Sequence, residues 1–266
     1  MKIIITLLLL FILYAVLGRP RGIEVRKDIL YSPKVKKDRK FAVISDLHNR
    51  LYGDRQERLV SKIEEEKPDF IVLLGDIFDN TGNKENAFTL LEELKGYPIY
   101  YVLGNHEYRI FALREDIERI KQLGVHVLLD DCTFFEEDIE IIGLKDYLKY
   151  IPNENVDSIV KMIKNLKKEE CFSILLSHRP HYCNLYEKLD VDLIMSGHAH
   201  GGQWRIPFLN IPIFASDQGL FPRLTDGIKE YAHTKHYISR GLASGRIYLP
   251  RLFNNPEIGI VIVKKQ

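Results

Sequence analysis

Short apolar runs rich in β-branched residues alternate with amphipathic segments over most of this chain, and the alternation limits what it can fold into. Such runs typically form buried strands, and amphipathic segments between them form helices that cover a sheet. Predicted strands lie at residues 41–45, 70–74, 99–103, 125–129, 139–142, 172–176, 193–195 and 258–263. Predicted helices lie at residues 56–66, 85–94, 113–123 and 156–168. This order indicates an α/β protein whose sheet is mainly parallel at first.

The last quarter of the chain has a different texture. From about Gly201 onward, short apolar segments are interrupted by proline and glycine, and helical periodicity is absent. This pattern is typical of an antiparallel or mixed sheet. A length of 266 residues allows one large domain. We therefore predict a single α/β domain at residues 40–266, built of two sheets flanked by helices.

The N-terminus differs from the rest because residues 3–17 carry no charge and contain Thr6 as their only clearly polar side chain. The run is slightly shorter than the about 20 apolar residues that usually span a bilayer, and it also fits the apolar core of a signal peptide. Arg19 and Pro20 follow at once, and proline is unfavourable just after a cleavage site. We therefore favour an uncleaved membrane anchor at residues 1–18 over a cleaved signal segment.

Residues 19–39 are basic and polar and contain two prolines, so we predict a linker with one short strand at residues 29–31. The basic residues that follow the apolar run favour a cytoplasmic domain under the positive-inside rule. A secretion signal would place the same domain on the other side. The prediction is therefore a protein at the cell membrane, with the side left open.

Charge and cysteine content exclude some classes of protein. The balance of 38 basic and 37 acidic residues argues against a protein held to nucleic acid by bulk charge. The three cysteines, Cys132, Cys171 and Cys183, form no CxxC pair, so the sequence indicates neither a disulfide framework nor a structural zinc site. We expect a monomer without a specific nucleic-acid partner.

Polar side chains able to bind metal ions directly follow five of the predicted strands. In an open α/β sheet the carboxyl ends of neighbouring strands meet along one edge, where ligands bind. Side chains two residues apart in an extended segment lie on one side, so each Asp-x-His or His-x-His pair can reach one metal region. Imidazole, carboxylate and amide ligands suit Mn, Fe or Zn. The candidate metal ligands are Asp46, His48, Asp76, Asn105, His178, His198 and His200.

Each of these residues alone has a more ordinary interpretation. An aspartate after a strand usually stabilises a turn, and an isolated histidine is usually a core or surface residue with satisfied hydrogen bonds. The pair of Gly75 and Asp76 is by itself a turn signal. These interpretations weaken when five strands in succession end this way. The combined pattern therefore predicts a metal centre.

The order and spacing of the motifs also resemble a known family. The motifs are Asp46-x-His48, Gly75-Asp76-x-x-Asp79, Gly104-Asn105-His106-Glu107, His178, Gly197-His198-Ala199-His200-Gly201-Gly202-Gln203, Ser239-Arg240-Gly241-Leu242 and Asn255-Pro256-Glu257. From about residue 40 to its end, the chain resembles the calcineurin-like metallophosphoesterases, and within them the bacterial membrane-associated subgroup typified by the YkuE and YaeI proteins. The resemblance implies a four-layer α-β-β-α sandwich of two mixed sheets and two divalent metal ions, of Mn, Zn or Fe.

The resemblance further implies a role for each motif residue. Two sets of ligands share Asp76 as a bridge: Asp46, His48, Asp76 and His200 for the first ion, and Asp76, Asn105, His178 and His198 for the second. His106 would not be a ligand but would lie beside the phosphate as a general acid or charge stabiliser. Asp79 or Glu107 would orient His106 or a ligand histidine, although Glu107 equally fits a helix cap. Candidate substrate contacts, where the chain departs from the family pattern or follows a motif, are Arg50, Arg179, His181 and Gln203.

For such a centre we expect hydrolysis of a phosphoester, which can be a monoester, a diester or a pyrophosphate. Two metal ions can activate a bridging hydroxide as the nucleophile, and His106 would protonate the leaving oxygen. The expected substrate is a small-molecule or lipid-linked phosphoester, with membrane contact through residues 3–17.

Two other functions stay open at this point. A dinuclear metal hydrolase acting on a carbon centre would use the same ligand types, but the order of the motifs disfavours it. A catalytically inactive scaffold tethered to a membrane would be expected to lack at least one ligand, and the sequence lacks none.

Overall fold

The computed structural model describes residues 1–110, 112–147, 151–215, 218–231, 233–243, 245–246 and 249–266. Within these ranges the helices are α1 (Lys2–Leu17), α2 (Glu57–Glu66), α3 (Glu85–Glu93), α4 (Leu113–Gln122), α5 (Asn153–Leu166) and α6 (Cys183–Tyr186). The strands of the first two thirds are β1 (Glu24–Ser32), β2 (Arg39–Ile44), β3 (Phe70–Leu73), β4 (Ile99–Val102), β5 (Val125–Leu128), β6 (Asp131–Phe135), β7 (Ile139–Leu144), β8 (Phe172–Ser177) and β9 (Leu193–Ser196). The remaining strands are β10 (Trp204–Ile206), β11 (Ile211–Ala215), β12 (Gly219–Leu220), β13 (Gly227–Glu230), β14 (Lys235–Ile238), β15 (Gly245–Arg246), β16 (Leu249–Pro250) and β17 (Glu257–Lys265).

The first large sheet has the strand order β1-β17-β2-β3-β4-β5. Strands β2 to β5 are parallel neighbours, whereas β17 runs antiparallel to β2 and parallel to β1. The central strands are nearly continuous apolar runs, and every residue of β3 is buried. This is the composition expected of parallel strands that are covered on both faces.

The second large sheet has the order β13-β14-β9-β8-β7-β6. Its four inner strands are parallel to one another, and antiparallel strands β13 and β6 form its two edges. Two smaller sheets complete the described part of the chain. Strands β10, β11 and β12 form an antiparallel sheet, and β15 pairs with β16.

Three hydrophobic clusters divide the molecule into four layers. The two large sheets face each other through residues such as Phe41, Phe70 and Ile174. Helices α2, α3 and α4 cover the outer face of the first sheet, with Leu90 among the residues of that cluster. Helices α5 and α6 cover the second sheet, for example through Ile159. The predicted α-β-β-α sandwich of two mixed sheets is confirmed.

The helices and strands predicted within residues 40–266 are all found, with ends that agree to within three residues. Residues 19–39 differ, because the predicted strand at residues 29–31 is part of the longer strand β1 (Glu24–Ser32) of the first sheet. Strand β1 pairs with β17 from Glu24 opposite Glu257 to Ser32 opposite Lys265. As an edge strand with mostly exposed or half-buried residues, β1 carries the charged side chains that made it look like a linker.

The predicted N-terminal apolar segment forms helix α1, which has 16 residues and buries none of them. Over the residues that the structure describes, no helix is both long enough and apolar enough to cross a membrane. The predicted transmembrane helix is therefore not supported.

The core between the sheets gives a stability prediction at Phe70. Its fully buried ring lies 4.7 Å from that of Phe41 and 4.6 Å from that of Phe135, measured between centroids. We expect Phe70→Ala to lower the free energy of unfolding by about 3–5 kcal/mol, because the substitution leaves a cavity between the two sheets. Urea unfolding followed by circular dichroism measures the change. The control Leu129→Ala removes a 40% exposed side chain and should cost under about 0.5 kcal/mol. A similar small loss for both variants would contradict the packing described here.

Candidate metal centre

The predicted ligands follow strands of both large sheets at the edge where those strands end. Asp46 follows β2 and Asp76 follows β3 in the first sheet, whereas His178 follows β8 and His198 follows β9 in the second. The backbone N–H of His198 donates to the Asp46 carboxylate at 3.0 Å, which ties the two sheets together at this point. The fold thus places all the motif-bearing loops around one site.

The first candidate metal-binding cluster consists of Asp46, His48 and His200, whose potential ligand atoms all lie within 4.8 Å of one another. The Nε2 atom of His200 is 3.6 Å from Asp46 Oδ1. The Nε2 atom of His48 is 3.8 Å from Asp76 Oδ2, so Asp76 lies beside this cluster.

The second cluster consists of Asp76, His178 and His198 and meets the same distance limit. Three other potential ligand atoms lie close to His178 Nε2. It lies 3.3 Å from Asp76 Oδ2, 3.2 Å from Asn105 Oδ1 and 3.1 Å from His198 Nδ1. One oxygen of Asp76 is therefore close to imidazoles of both clusters. The structure brings all seven predicted ligands together in the two predicted sets, and their role as ligands stays a prediction.

The rings of two histidines are held so that one nitrogen of each faces the site. His178 Nδ1 donates to the Leu74 carbonyl oxygen at 2.7 Å, which leaves Nε2 for a metal ion. His48 Nδ1 lies 3.0 Å from Asp79 Oδ2, and its buried Nε2 has no hydrogen-bond partner among the described residues. A buried polar atom normally has a partner. The orphaned Nε2 of His48, surrounded by carboxylates and imidazoles, therefore fits a divalent metal ion.

The backbone of the ligand loops is strained. Five of the predicted ligands have positive φ angles that favour glycine elsewhere: Asp46 (52°), His48 (49°), Asp76 (53°), His198 (67°) and His200 (48°). Such conformations cost of order 1–3 kcal/mol each and concentrate at functional sites. The left-handed conformation turns the backbone sharply after each of these strands, so that side chains from different loops face one another.

Glycine is required where one ligand loop crosses another. A Cβ atom on Gly104 would overlap Oδ1 of Asp76, and one on Gly241 would overlap the carboxylate of Asp46. Gly241 also has a φ of +67°. The backbone N–H of Leu242 donates to Ser45 O, and that of Ala243 donates to Asp46 O. The motif at residues 239–242 therefore holds the loop after β2, which carries Asp46, in place.

Neighbouring charges shift the pKa values of the predicted ligands. Burial by itself raises the pKa of Asp76, but His178 and His48 outweigh that effect and hold the pKa well below its usual value. Burial lowers the pKa of His200 well below its usual value, and neighbouring His48 and Arg251 lower it further. His200 is therefore neutral in the folded protein, as a metal-binding imidazole must be.

The two carboxylates predicted to orient histidines behave differently. Asp79 Oδ2 contacts Nδ1 of His48 at 3.0 Å and of His106 at 3.3 Å, as expected of an orienting carboxylate. The buried Glu107 instead accepts backbone N–H groups of Asp76 at 2.9 Å and Gly104 at 2.8 Å. It also accepts the hydroxyl of Tyr101 at 2.6 Å. Glu107 therefore joins the loop after β3 to the loop after β4 rather than orienting an imidazole.

The predicted substrate contacts are spread over several positions. The buried Arg179 is held by Asp146, from Nε to Oδ1 at 2.7 Å, and its Nη1 lies 3.2 Å from His198 Nε2. The His181 ring is 5.9 Å from that of His198. Gln203 is nearly buried in the turn after His200, whereas Arg50 is exposed. Arg179 and His181 thus lie beside the second cluster.

Other residues at the site were missed by the sequence analysis. Arg251 is fully buried with Nη2 3.5 Å from His200 Nδ1, and Asn254 Nδ2 donates to the His200 carbonyl at 2.7 Å. Asp146 anchors Arg179, and the Ser45 hydroxyl donates to the Asp46 carboxylate. None of these belongs to a recognisable spacing pattern. Only Asn254 had a local signal, because it lies next to the tail motif at residues 255–257.

The carboxylates around His178 predict that metal binding depends on pH through this residue. Burial lowers its pKa, but Asp76, helped by Asp46 and Asp146, raises the pKa to about 10. Below that value the imidazole is protonated, so a metal ion must displace a proton. We expect Mn²⁺ or Zn²⁺ to bind chelator-treated protein about tenfold more tightly at pH 7.5 than at pH 6.5. Titration calorimetry in buffers of different ionisation enthalpy measures affinity and proton release together. Equal affinity at both pH values without proton release would contradict the assignment.

Sequence comparison gives an independent view of this site. The family profile described as Calcineurin-like phosphoesterase matches residues 39–202, which include all seven predicted ligands. A Campylobacter jejuni protein described as an uncharacterized metallophosphoesterase is 31% identical over 264 residues, covering 96% of this chain and 67% of that protein. An Aquifex aeolicus protein of the same description is 30% identical over 253 residues, covering 91% of this chain and 92% of that protein. The chain spans 51% of a Helicobacter pylori relative.

The predicted subgroup is also found among the relatives. YkuE of Bacillus subtilis is 28% identical over 235 residues, covering 85% of this chain and 79% of that protein. Escherichia coli YaeI, described as a phosphodiesterase, is 27% identical over 206 residues, covering 73% of this chain and 70% of that protein. Among solved structures, TT1561 of Thermus thermophilus has a TM-score of 0.52 at 13% identity, covering 78% of this chain and 91% of that one, and shares the fold. The chain therefore belongs to the calcineurin-like phosphoesterase family and is a metallophosphoesterase.

Proposed function

We propose that this metallophosphoesterase hydrolyses its substrate at a pair of divalent metal ions that share Asp76. The position of Asp76 Oδ2, 3.8 Å from His48 Nε2 and 3.3 Å from His178 Nε2, carries the proposal. A carboxylate in that position can serve as a ligand of both ions. The presence of every predicted ligand argues against an inactive scaffold.

The donor set defines what the site would hold. Asp46, His48, Asp76 and His200 would bind one ion, and Asp76, Asn105, His178 and His198 would bind the other. Mixed oxygen and nitrogen donors without a thiolate suit Mn, Fe or Zn. When bound, such ions activate water and neutralise the charge that develops on the phosphoryl oxygens.

His106 is the proposed general acid. Its backbone N–H donates to Asp76 Oδ1 at 2.8 Å, so the residue is fixed at the rim of the centre. Its ring packs edge-on against that of His48 at 4.5 Å, and its Nδ1 lies 3.3 Å from Asp79 Oδ2. Because Nδ1 lies beside Asp79, Nε2 is the ring nitrogen that would donate a proton to the leaving oxygen.

Arg179 is the proposed contact for a phosphoryl oxygen. Its guanidinium is anchored by both oxygens of Asp146, from Nε at 2.7 Å and from Nη2 at 3.3 Å. The Tyr182 hydroxyl donates to the same carboxylate at 2.8 Å. An arginine that is buried and held in place beside the second cluster loses little freedom when it binds an anion.

The substrate class follows the family and its relatives. The chain's relative YaeI is described as a phosphodiesterase, which favours a phosphodiester among the expected substrates. We therefore place phosphodiesters before monoesters and pyrophosphates in a substrate screen, with Mn²⁺, Fe²⁺ and Zn²⁺ each supplied in turn.

The bridging role of Asp76 predicts the outcome of Asp76→Asn. An amide has one oxygen and no negative charge, so we expect loss of most bound metal and a fall of at least about 10²-fold in kcat with nitrophenyl phosphates. Bound metal is measured by elemental analysis and the fold by circular dichroism. Asp157→Asn, at an exposed carboxylate that pairs with Lys188, is the matched control and should keep full activity. Full turnover by Asp76→Asn would disprove the bridge.

The acid role of His106 predicts a dependence on the leaving group. We expect His106→Ala to keep its metal but to slow substrates with alkyl leaving groups by about 10²–10⁴-fold, the usual range for general acid catalysis. Nitrophenyl substrates, whose leaving group needs little protonation, should be affected much less. His233→Ala, at an exposed histidine, is the control. An equal loss for all leaving groups would contradict the role.

A further inference from the structure

Large apolar side chains are exposed together on the three-stranded sheet of β10, β11 and β12. In the turn between β10 and β11, Phe208 is fully exposed at 105% and Leu209 is exposed at 66%. Leu220 and Phe221 are exposed at 70% and 64%, and the Phe221 N–H donates to Ile213 O of β11 at 2.9 Å. Soluble proteins usually expose such residues singly, and a group of them marks an interaction surface.

Helix α1 continues this apolar surface. Its residues are apolar on every side, and none is buried. A helix without a polar face needs an apolar environment around it. The helix is attached to the small sheet by its second half. The ring of Phe11 lies 6.0 Å from Trp204, and the Tyr14 hydroxyl donates to Arg205 O at 2.9 Å.

A cleft joins the end of α1 to the exposed turn. It has a volume of about 490 Å³, and its walls include Leu17, Arg19, Arg21, Phe208 and Phe253. The guanidinium-bearing residues Arg19 and Arg21 are exposed at its mouth. The cleft therefore combines apolar walls with two cations.

The charged residues of the N-terminal segment that forms this surface are all basic. Before Glu24, the chain contains Lys2, Arg19 and Arg21 and no acidic residue. Arg223, which follows the exposed Phe221, is also exposed. Basic residues that border an apolar surface are the pattern of proteins that bind anionic lipid. Two copies of this chain that paired through the surface would instead bring like charges together.

We propose that α1, the turn at residues 207–210 and the pair Leu220 and Phe221 form one surface that enters an anionic lipid bilayer. The apolar side chains would occupy the boundary between head groups and acyl chains. Arg19 and Arg21 would bind lipid phosphates at the cleft. The turn is thus a second lipid contact beside the N-terminal helix, and it is independent of the hydrolytic chemistry.

This surface is directly connected to the metal centre. Strand β10 begins at Trp204, four residues after His200. Phe253 N–H donates to Gly18 O at 2.7 Å, and the next residue, Asn254, donates to the His200 carbonyl at 2.7 Å. A bilayer bound to α1 and the turn would hold the metal centre at a fixed height near the head groups.

Vesicle sedimentation tests the proposal with the full chain. The probes are vesicles of phosphatidylcholine alone and of phosphatidylcholine with phosphatidylglycerol. We expect the double substitution Phe208→Ser and Leu209→Ser to weaken binding at least about tenfold on the anionic vesicles, because two large apolar groups no longer enter the bilayer. Arg19→Gln with Arg21→Gln should remove the preference for the anionic vesicles. Tyr31→Ser, at an aromatic residue that is 62% exposed on edge strand β1, is the matched control and should bind normally.

The single tryptophan supplies a second measurement. Trp204 begins β10 and packs against Phe11, so its fluorescence should shift to the blue with anionic vesicles. A tryptophan introduced by Phe208→Trp in a Trp204→Phe background should be quenched by lipids brominated on their acyl chains. This tryptophan variant and the Phe208 and Leu209 double variant should both keep wild-type turnover of a soluble nitrophenyl substrate. A loss of lipid binding can then be distinguished from a loss of the proposed hydrolysis.

Two results would overturn the proposal. One is normal binding of the Phe208 and Leu209 double variant together with no quenching of the introduced tryptophan, which would leave the turn outside the bilayer. The other is a dimer in sedimentation velocity that the double variant converts to a monomer, which would mean that a second copy covers the surface.

Discussion

The buried carboxylate of Asp76 is the group on which the arrangement of the metal centre depends. Its Oδ1 accepts the backbone N–H of His106, and its Oδ2 lies between His48 and His178. Its own N–H donates to Glu107, which also binds Gly104 and Tyr101. Loops from β2, β3, β4 and β8 thus meet at one residue, and a shift of any of them would move its carboxylate.

The same arrangement is unfavourable without a cation. Two aspartates and four histidines are gathered in a site where Asp46 and Asp76 are at most 1% exposed. Burying carboxylates costs free energy unless they are paired, and the left-handed backbone of the ligand loops adds strain. Because Asp76 raises the pKa of His178 to about 10, the protonated imidazole offsets part of this negative charge until a metal ion displaces the proton. The surrounding fold, with three hydrophobic clusters and two large sheets, supplies the stability that this site uses.

Much of the fold was predictable because its signals are local. The buried strands are short β-branched runs, and the helices between them have clear amphipathic patterns, so their ends were placed within three residues. The seven predicted ligands follow strand ends, and sheet topology alone brings such positions to one edge. The two sets of ligands came from the resemblance to a family, because spacing along the chain cannot show which loops share an ion.

The remainder depends on contacts between distant segments. Strand β1 is charged and looks like a linker until its pairing with β17 is known. Glu107 lies beside His106 in sequence, but its partners are backbone N–H groups of two loops, which no motif reveals. Arg251 and Asp146 support the site from segments without a pattern. The exposed turn at Phe208 was likewise invisible, because exposure is a property of the folded surface.

The position of β17 has a consequence for how the chain reaches its native state. Strand β17 lies between β1 and β2, which are the first two strands of the chain. The first sheet therefore cannot form in full until β17 has been synthesised, because β17 is the strand that pairs with β1 among the described residues. Pairing over such a long sequence separation is slow, and unpaired strand edges favour aggregation. Removal of residues 257–266 would thus leave β2 as an edge strand of the first sheet and β1 without the partner that it has in the described structure.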